Sequence, residues 1–338
     1  MRPDDLTRRR FVRDTAITAA GVAAGLSGLA GPARAGAEAP PQAPPEILNY
    51  NPAMEYRRLG KTGFMVSVIG LGGHARSNDA ERAEVVARCL DAGINFIDST
   101  GSGELHRDIR ALDKRRDKVY LALSETDREP RNPEYRTAAK LLGTLDDTLK
   151  AAQLEYTDLW RITVYEPGGR HTFDEACAVV EALQKAKQQG KARAIGVSSH
   201  DRRWFKFMIE YFPALEVILF PFTTMSKAAP SDSLFPALRA CDVGAFGIKP
   251  FAAGSLFTGE REEDLKRARL ALRYILHTDT VIPIPGLNNT AEVDNAVKAV
   301  KERRELDLKE KAQVERMSER VWACLPDRYA WLRDWEYV

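Results

Sequence analysis

The sequence lacks the cysteine pattern of a metal centre or of a disulfide framework. Its four cysteines are far apart, and none belongs to a C-x-x-C pair. Zinc and iron–sulfur sites are usually built on such pairs, and the histidine spacing supplies no third ligand, so we expect no metal site. Cys89 and Cys177 fall in apolar stretches with helical spacing, which indicates buried thiols.

An excess of charge of one sign is also missing. Lysine and arginine together number 50, aspartate and glutamate 48, and the formal net charge is +2. A field of one sign is what attracts nucleic acid or an anionic membrane surface, so neither is expected as a partner. We expect a small-molecule substrate or ligand instead, and the composition leaves the oligomeric state open.

No apolar run is long enough to favour a membrane span in the mature protein. The most apolar stretch near the start runs from Ala16 to Ala30 and is poor in leucine, isoleucine and phenylalanine. Spanning helices need about 20 strongly apolar residues, which this stretch does not supply.

The same stretch has the surroundings of an export signal. It follows T-R-R-R-F-V-R at residues 7–13, which matches the twin-arginine pattern, and precedes A-R-A at residues 33–35, which fits a cleavage site. We therefore predict a twin-arginine signal peptide over residues 1–35 and a Pro- and Ala-rich linker over residues 36–53. The expected location is the periplasm or another extracytoplasmic space.

Residues 54–338 alternate between short β-branched runs and longer amphipathic ones, which predicts a single domain of parallel βαβ units. The predicted strands are Val66–Leu71, Asn95–Ser99, Val119–Leu123, Asp158–Val164, Ala192–Ser198, Val217–Phe222, Ala245–Pro250 and Thr280–Ile284. The predicted helices are Ala80–Ala92, Glu104–Leu112, Tyr135–Ala152, Phe173–Gln189, Arg202–Tyr211, Ser233–Ala240, Glu262–Leu276 and Ala291–Arg304. No G-x-G-x-x-G fingerprint opens the first helix, so eight units favour a (β/α)₈ TIM barrel over an open sheet.

Two features lie outside the eight repeats. Residues 54–65 alternate around a G-K-T-G turn at 60–63, which predicts a β-hairpin before the first barrel strand. Lys309–Leu325 predicts an extra C-terminal helix, and the aromatic residues after it are predicted to fold over one face of the barrel.

Several segments of the predicted barrel carry recognisable motifs. They are V-S-V-I-G-L-G-G at 66–73, A-G-I-N-F-I-D at 92–98, G-K-A-R-A-I-G-V-S at 190–198, A-L-R-Y-I-L at 271–276 and I-P-G at 284–286. In this order they resemble the aldo-keto reductase family, from about Glu55 to about Arg304. The resemblance implies a barrel that binds NADPH and reduces carbonyl groups.

Members of that family use four catalytic residues: an Asp and a Tyr after the second strand, a Lys after the third and a His after the fourth. Asp98 matches the Asp, but the loop that should carry the Tyr reads S-T-G-S-G-E at 99–104. By register, Ser124 takes the Lys position and Thr163 the His position. The resemblance therefore implies an altered active site, because neither hydroxyl can replace a Tyr as an acid near neutral pH.

Other side chains are candidates for the missing functions. Arg161 is a candidate partner for Asp98, since strand alternation places it on the inward face. His200 and His74 follow the fifth and first strands and are candidate acids, and a shifted loop would bring Tyr165 to the acid position. The predicted catalytic residues are Asp98, Arg161 and His200.

The resemblance also implies the cofactor contacts. The predicted cofactor-binding residues are Ser198, Phe222, Lys249, Pro250, Gly254, Leu256, Gly286 and Asn288. Phe222 keeps the aromatic type that stacks on a nicotinamide, and the turn from Gly286 opens a helix N-terminus that suits an anion. Asn288 stands where members that bind NADP have a cation, so the cofactor is expected to be NADP or NAD.

Three functions remain compatible with these residues. The first is an NAD(P)-dependent oxidoreductase with altered chemistry at Asp98. The second is a catalytically inactive nucleotide- or small-ligand-binding protein on the same barrel. The third is a lyase or isomerase without nicotinamide, because barrels host many chemistries.

Overall fold

The computed structural model describes residues 47–73, 77–164 and 172–338 of the chain. They belong to one unit, which begins at Pro45. The predicted signal peptide and residues 36–46 of the predicted linker lie outside the described residues. Residues 47–53 differ from a linker, because Asn49 Nδ2 donates to the carbonyl oxygen of Leu90 and Asn51 Nδ2 to that of Asp91. The barrel therefore takes up the end of the segment predicted as linker.

The chain first forms a small hairpin. Strand β1 (Tyr56–Arg58) pairs antiparallel with β2 (Met65–Ser67), and a one-turn 3₁₀ helix, Gly60–Thr62, lies between them. Leu59 and Phe64 of this hairpin are buried in the hydrophobic cluster inside the barrel. The predicted hairpin is therefore confirmed, and it packs its two large apolar side chains into the barrel core.

In the part of the chain that the structure describes, seven parallel strands follow, hydrogen bonded in sequence order. They are β3 (Phe96–Thr100), β4 (Tyr120–Ser124), β5 (Thr157–Thr163), β6 (Ala192–Ser198), β7 (Val217–Pro221), β8 (Gly244–Ile248) and β9 (Val281–Pro283). Their inward side chains, among them Phe96, Leu159 and Phe246, fill the interior as a packed core. Polar side chains that could contact a ligand are therefore expected at the ends of the strands.

Residues 69–72 close the barrel between β9 and β3. The amide of Gly70 donates to the carbonyl oxygen of Pro283 (3.0 Å), and the amide of Leu71 donates to that of Phe96 (2.9 Å). A Cβ on Gly70 would come within 2.8 Å of the Ile284 side chain, so glycine permits this close approach. The (β/α)₈ barrel is confirmed, with this segment as its first strand.

The first strand was predicted with the wrong start. Val66 and Ser67 of the predicted strand Val66–Leu71 pair within the hairpin, and only Leu71 forms a bridge to Ile97 of β3. The Ser67 hydroxyl donates to the carbonyl oxygen of Ile69 (2.7 Å) and holds a local turn between the two pairings. A continuous β-branched run thus serves two different sheets.

Nine helices are present in the described residues. They are α1 (Asp79–Asp91), α2 (Ser102–Leu112), α3 (Ala138–Ala151), α4 (Phe173–Gln188), α5 (Arg202–Tyr211), α6 (Leu234–Ala240), α7 (Arg261–Leu276), α8 (Thr290–Lys301) and α9 (Leu308–Cys324). Asn78 and Thr172 begin α1 and α4 with capping boxes, which is why both starts were readable from the sequence. Helix α9 confirms the predicted extra helix. Within the described ranges, no helix is both long and apolar enough to cross a bilayer.

The aromatic end of the chain packs on the barrel as a 3₁₀ helix, Asp327–Trp335. The Trp335 side chain is fully buried, stacks on Phe220 of β7 and donates its indole N–H to the carbonyl oxygen of His200 (2.9 Å). His200 follows β6, so this segment covers part of the face formed by the carboxyl ends of the strands. The prediction that the aromatic tail folds over one barrel face is confirmed.

The cysteines carry no cross-link. Cys89 is buried and Cys177 half-buried, and no disulfide joins the four cysteines. Burial raises the pKa of the Cys89 thiol to about 12, so this thiol is inert at neutral pH. No group of His, Cys, Asp and Glu in the described parts of the chain could hold a metal ion.

Candidate active site

A cleft of about 1000 Å³ opens at the carboxyl ends of the strands. Nine predicted site residues line it: Asp98, Arg161, Ser198, His200, Lys249, Pro250, Gly254, Gly286 and Asn288. Helix α9 and the C-terminal segment add Arg320 and Tyr329 to its wall. The chain therefore brings most of the predicted residues together at the end of the barrel where catalytic residues of this fold lie.

Asp98 and Arg161 form a buried, two-pronged ion pair at the floor of the cleft. Arg161 Nε donates to Asp98 Oδ1 (2.7 Å), and Nη2 donates to Oδ2 (2.8 Å). Both side chains are at most 5% exposed. The prediction that Arg161 faces inward and partners Asp98 is confirmed, and the carboxylate is paired without a lysine.

Arg161 is held by two further oxygens. Its Nη2 donates to the Thr100 hydroxyl (2.8 Å) and its Nη1 to the Thr163 hydroxyl (2.9 Å). Burial works against the charge of Arg161, but the charge and hydrogen bonds of Asp98, with the charges of Glu129 and Glu104, raise the pKa of Arg161 above its usual value. Arg161 is therefore a permanent, fixed cation.

Thr163 and Ser124 connect this pair to a second carboxyl group. The Ser124 and Thr163 hydroxyls lie 2.7 Å apart, and Ser124 Oγ lies 2.8 Å from Glu129 Oε2. Glu129 also accepts the backbone amides of Thr163 (2.7 Å) and Glu125 (2.8 Å). The positions at which the resemblance puts Lys and His thus hold two hydroxyls that lead to Glu129.

Glu129 was missed from the sequence. It is 1% exposed, and burial raises its pKa to about 7, against the lowering effect of its hydrogen bonds and of the Arg161 charge. It lies in an S-E-T-D-R-E loop after β4, where carboxylates are usually solvated. Only the fold of this loop, with Glu129 turned back under β4 and β5, distinguishes it from its acidic neighbours.

His200 lies at one side of the cleft in an aromatic setting. Its ring stacks on Trp331 with 3.9 Å between the centroids, and its Nδ1 is 3.3 Å from Arg131 Nη2. Because a guanidinium only donates, Nδ1 is the acceptor, and the ring proton of this tautomer lies on Nε2. His200 is therefore arranged as a hydrogen-bond donor through Nε2.

The opposite side of the cleft leads to a second pocket of about 320 Å³ between α7 and α8. Phe251, Phe257, Gly286 and Asn288 line both cavities and join them. The loop over this junction is tightly wound, since Lys249, Ala252 and Ala253 all have positive φ. The two cavities therefore lie side by side, one at the Asp98–Arg161 pair and the other on the α7–α8 side of the barrel.

An acid stands at the start of α8. Glu292 Oε2 accepts the backbone amide of Asn288 (2.8 Å), and Glu292 Oε1 accepts the side-chain amide of Asn289 (3.0 Å). A helix N-terminus favours an anion, and here the chain provides that anion itself. Glu292 was not predicted, because the family resemblance points to a cation at this turn.

Two predicted cofactor residues lie elsewhere. Phe222 is buried against Tyr274 and Phe235, because alternation along β7 turns Leu219 inward and Phe222 toward the helices. Leu256 packs in the cluster of Ala271 and Val321, after the loop has turned back from the cleft. Neither lines the cleft, so the structure does not bring these two residues together with the other nine. The two other candidate acids, His74 and Tyr165, lie outside the described residues.

Comparisons with known proteins agree with this architecture. The family model of the aldo/keto reductase family matches residues 68–267. The chain belongs to the aldo/keto reductase family. It is 26% identical over 294 residues to L-galactose dehydrogenase from Arabidopsis thaliana. The aligned region covers 74% of this chain and 89% of that enzyme. It is also 26% identical over 234 residues to L-glyceraldehyde 3-phosphate reductase from Escherichia coli K12, covering 61% of this chain and 64% of that one.

Two solved structures of aldo-keto reductases share the fold. The holo form from Bacillus halodurans has a TM-score of 0.65 at 22% identity and covers 82% of this chain and 99% of that one. The enzyme from Klebsiella pneumoniae, in complex with NADPH, has a TM-score of 0.62 at 20% identity, with 78% and 95% covered. At these identities the likeness shows the aldo/keto reductase fold, and the chemistry must be argued from the site.

Proposed function

We propose that this aldo/keto reductase is a nicotinamide-dinucleotide-dependent oxidoreductase acting on a small polar carbonyl or alcohol, with Arg161 in the role that polarises the oxygen. The observation that carries the proposal is the adjacency of the cleft at the Asp98–Arg161 pair and the pocket between α7 and α8, which share four lining residues. A dinucleotide bound along both cavities would have its reactive ring near the ion pair and its adenosine near the far pocket. Two comparisons support this class of reaction. The Klebsiella structure is a complex with NADPH, and the two enzymes above are named for L-galactose and L-glyceraldehyde 3-phosphate.

The residues at the ion pair suit a carbonyl oxygen. Four of the five N–H groups of Arg161 are donated to Asp98, Thr100 and Thr163, which leaves one on Nη1 for a ligand oxygen. A fixed cation in a buried site stabilises negative charge that develops on that oxygen. When bound, the nicotinamide supplies or removes the hydride.

Glu292 indicates which dinucleotide is preferred. In this pose the 2′-phosphate of NADP would lie near the start of α8, where Glu292 accepts the backbone amide of Asn288 and the side-chain amide of Asn289. A carboxylate there repels the phosphate and can accept a hydrogen bond from the free 2′-hydroxyl of NAD. The proposed cofactor is therefore NADH or NAD⁺.

Direct titration of the purified protein tests both statements. We expect micromolar binding of NADH by tryptophan quenching or calorimetry, with NADPH weaker by about tenfold. Glu292→Gln should bring the dissociation constants of NADH and NADPH closer together. Glu292→Arg should make NADPH the tighter ligand. The matched control is Glu315→Gln, since Glu315 is an exposed acid on α9 that lines neither cavity. Equal binding of both nucleotides would contradict the selectivity, and binding of neither by the folded protein would contradict the oxidoreductase.

One observation favours a second candidate, the inactive binding protein. In the described residues, the hydroxyls of Ser124 and Thr163 are both engaged with Arg161 or Glu129, and no tyrosine occupies the place of the family acid. Binding of NADH without oxidation of it, across aldehydes, ketones and sugars, would establish this alternative. Steady turnover of any carbonyl or alcohol would eliminate it.

We also propose that the protein acts outside the cytoplasm, exported through the twin-arginine signal of residues 7–13. This route carries folded proteins, so a bound dinucleotide would cross with the barrel. Changing Arg8 and Arg9 together to lysine should leave the uncleaved precursor in the cytoplasm, as followed by fractionation and immunoblotting. Unchanged recovery of the double variant from the periplasm would count against this route.

A further inference from the structure

A row of three hydrogen-bonding groups links buried Glu129 to the cleft. Ser124 lies between Glu129 and Thr163, and Thr163 accepts a hydrogen bond from Arg161, whose guanidinium lines the cleft. Each separation is between 2.7 and 2.9 Å. These are ordinary distances for direct transfer of a proton along a chain of hydroxyls.

The direction of this chain depends on the protonation of Glu129. When Glu129 is ionised it only accepts, so Ser124 donates to it and Thr163 donates to Ser124. When Glu129 is protonated it donates to Ser124, and Ser124 donates to Thr163. The Thr163 proton must then leave the chain, and Arg161 cannot take it because a guanidinium has no acceptor. A ligand oxygen that shares Arg161 Nη1 with Thr163 would be the acceptor of this proton.

We propose that Glu129 stores the proton for the reaction and delivers it through Ser124 and Thr163 to the substrate oxygen beside Arg161. This rests on the proposed oxidoreductase function. Glu129 does not touch the substrate, so it is a positioning residue that acts through the two hydroxyls. The two positions where the family resemblance puts Lys and His would then carry a relay.

The proton and electron balance closes with groups already named. The carbonyl carbon takes the hydride of a reduced nicotinamide, and the π electron pair moves to the carbonyl oxygen. That oxygen takes the proton of Thr163, Thr163 takes that of Ser124, and Ser124 takes that of Glu129. Glu129 is left as a carboxylate and regains a proton from water. Alcohol oxidation runs the same transfers in reverse.

The surroundings of Glu129 suit this use. Burial raises its pKa to about 7, while the amides of Glu125 and Thr163, the Ser124 hydroxyl and the charge of Arg161 act in the opposite sense. A second glutamate in the same loop, Glu125, accepts a hydrogen bond from the Thr148 hydroxyl (3.1 Å). Glu129 therefore holds its proton below about pH 7 and loses it above, near the pH at which a transferable proton is most useful.

Infrared difference spectroscopy tests the stored proton without any cofactor. Between about pH 5 and about pH 9, we expect the carbonyl stretch of one buried, protonated carboxyl group to disappear with a midpoint near 7. Glu129→Gln should remove this signal, and Glu125→Gln should keep it. In parallel, stability from the raised pKa is full below the ordinary value of 4.5 and is lost as pH rises through about 7, so Glu129→Gln should flatten that fall.

Turnover tests the delivery. With NADH and a reducible substrate, kcat should fall about tenfold per pH unit above the pKa of Glu129. Glu129→Gln and Thr163→Val should each lower kcat by about 10²-fold, with the dissociation constant of NADH unchanged. Thr163→Ser, which keeps the hydroxyl, should recover most of the rate, whereas a purely structural role would not separate Ser from Val.

The outcomes separate the two proposals. Absence of dinucleotide binding overturns the oxidoreductase and the relay together. Binding and turnover with a pH profile that Glu129→Gln and Thr163→Val leave unchanged overturn the relay alone. Survival of the infrared signal in Glu129→Gln also overturns it, because the proton would then belong to another carboxyl group.

Discussion

Replacing Arg161 by methionine is expected to lower the free energy of unfolding by about 3–5 kcal/mol. Methionine keeps much of the volume but leaves the Asp98 carboxylate buried without its cation, along with the hydroxyls of Thr100 and Thr163 that lose their donor. Removing one partner of a buried pair is costly because the other charge stays desolvated. Urea denaturation followed by circular dichroism measures the change.

A double variant isolates the cause. Asp98→Asn removes the stranded charge, so Asp98→Asn combined with Arg161→Met should be less destabilised than Arg161→Met alone, with a coupling energy above about 1 kcal/mol. Arg161→Lys should fall between wild type and methionine, since an ammonium cannot donate two parallel bonds to one carboxylate. Equal stability of Arg161→Met and wild type would mean that water already solvates Asp98.

Truncating Trp335 to alanine is expected to lower the free energy of unfolding by about 3–5 kcal/mol. The indole is fully buried, stacks on Phe220 and meets Phe205 edge-on. Its loss leaves a cavity between the C-terminal segment and the barrel, and it frees the carbonyl oxygen of His200 from its donor. The same denaturation assay measures the change.

Two further variants provide reference values for the loss of stability expected in Trp335→Ala. Trp335→Phe keeps a ring on Phe220 but loses the indole N–H, so it should cost clearly less than alanine. Trp322→Ala removes a tryptophan that is 40% exposed and should change stability by under about 1 kcal/mol. If Trp335→Ala were no more destabilised than Trp322→Ala, the C-terminal segment would not be a fixed part of the barrel.

The sequence predicted most elements because each has a local signal. Strand β6 has the predicted bounds, Ala192–Ser198, and α4 begins after the Thr172 cap. The first barrel strand failed for a non-local reason. Its β-branched run is divided between the hairpin and the closing segment, and nothing within the run shows where the chain changes partners.

The site was predictable where strand alternation carried the information. Alternation gave Arg161 its inward direction and so its meeting with Asp98. The same rule turns Phe222 away from the barrel interior, because Leu219 lies on the inner face of β7 and Phe222 is three residues later. The prediction for Phe222 came from the family resemblance and not from alternation. Glu129 and Glu292 could not be predicted, since their roles depend on how a loop and a helix start fold back on distant atoms.

The place of Arg161 on the barrel also limits how this chain can change by single substitutions. The cation that neutralises Asp98 comes from β5, whereas the family pattern supplies it from the end of β4, where Ser124 now stands. Losing Arg161 leaves the buried Asp98 carboxylate without a cation, and a lysine placed at Ser124 would lie beside Glu129 as well as Asp98. Exchanging one cation for the other therefore needs at least two coordinated substitutions in this chain.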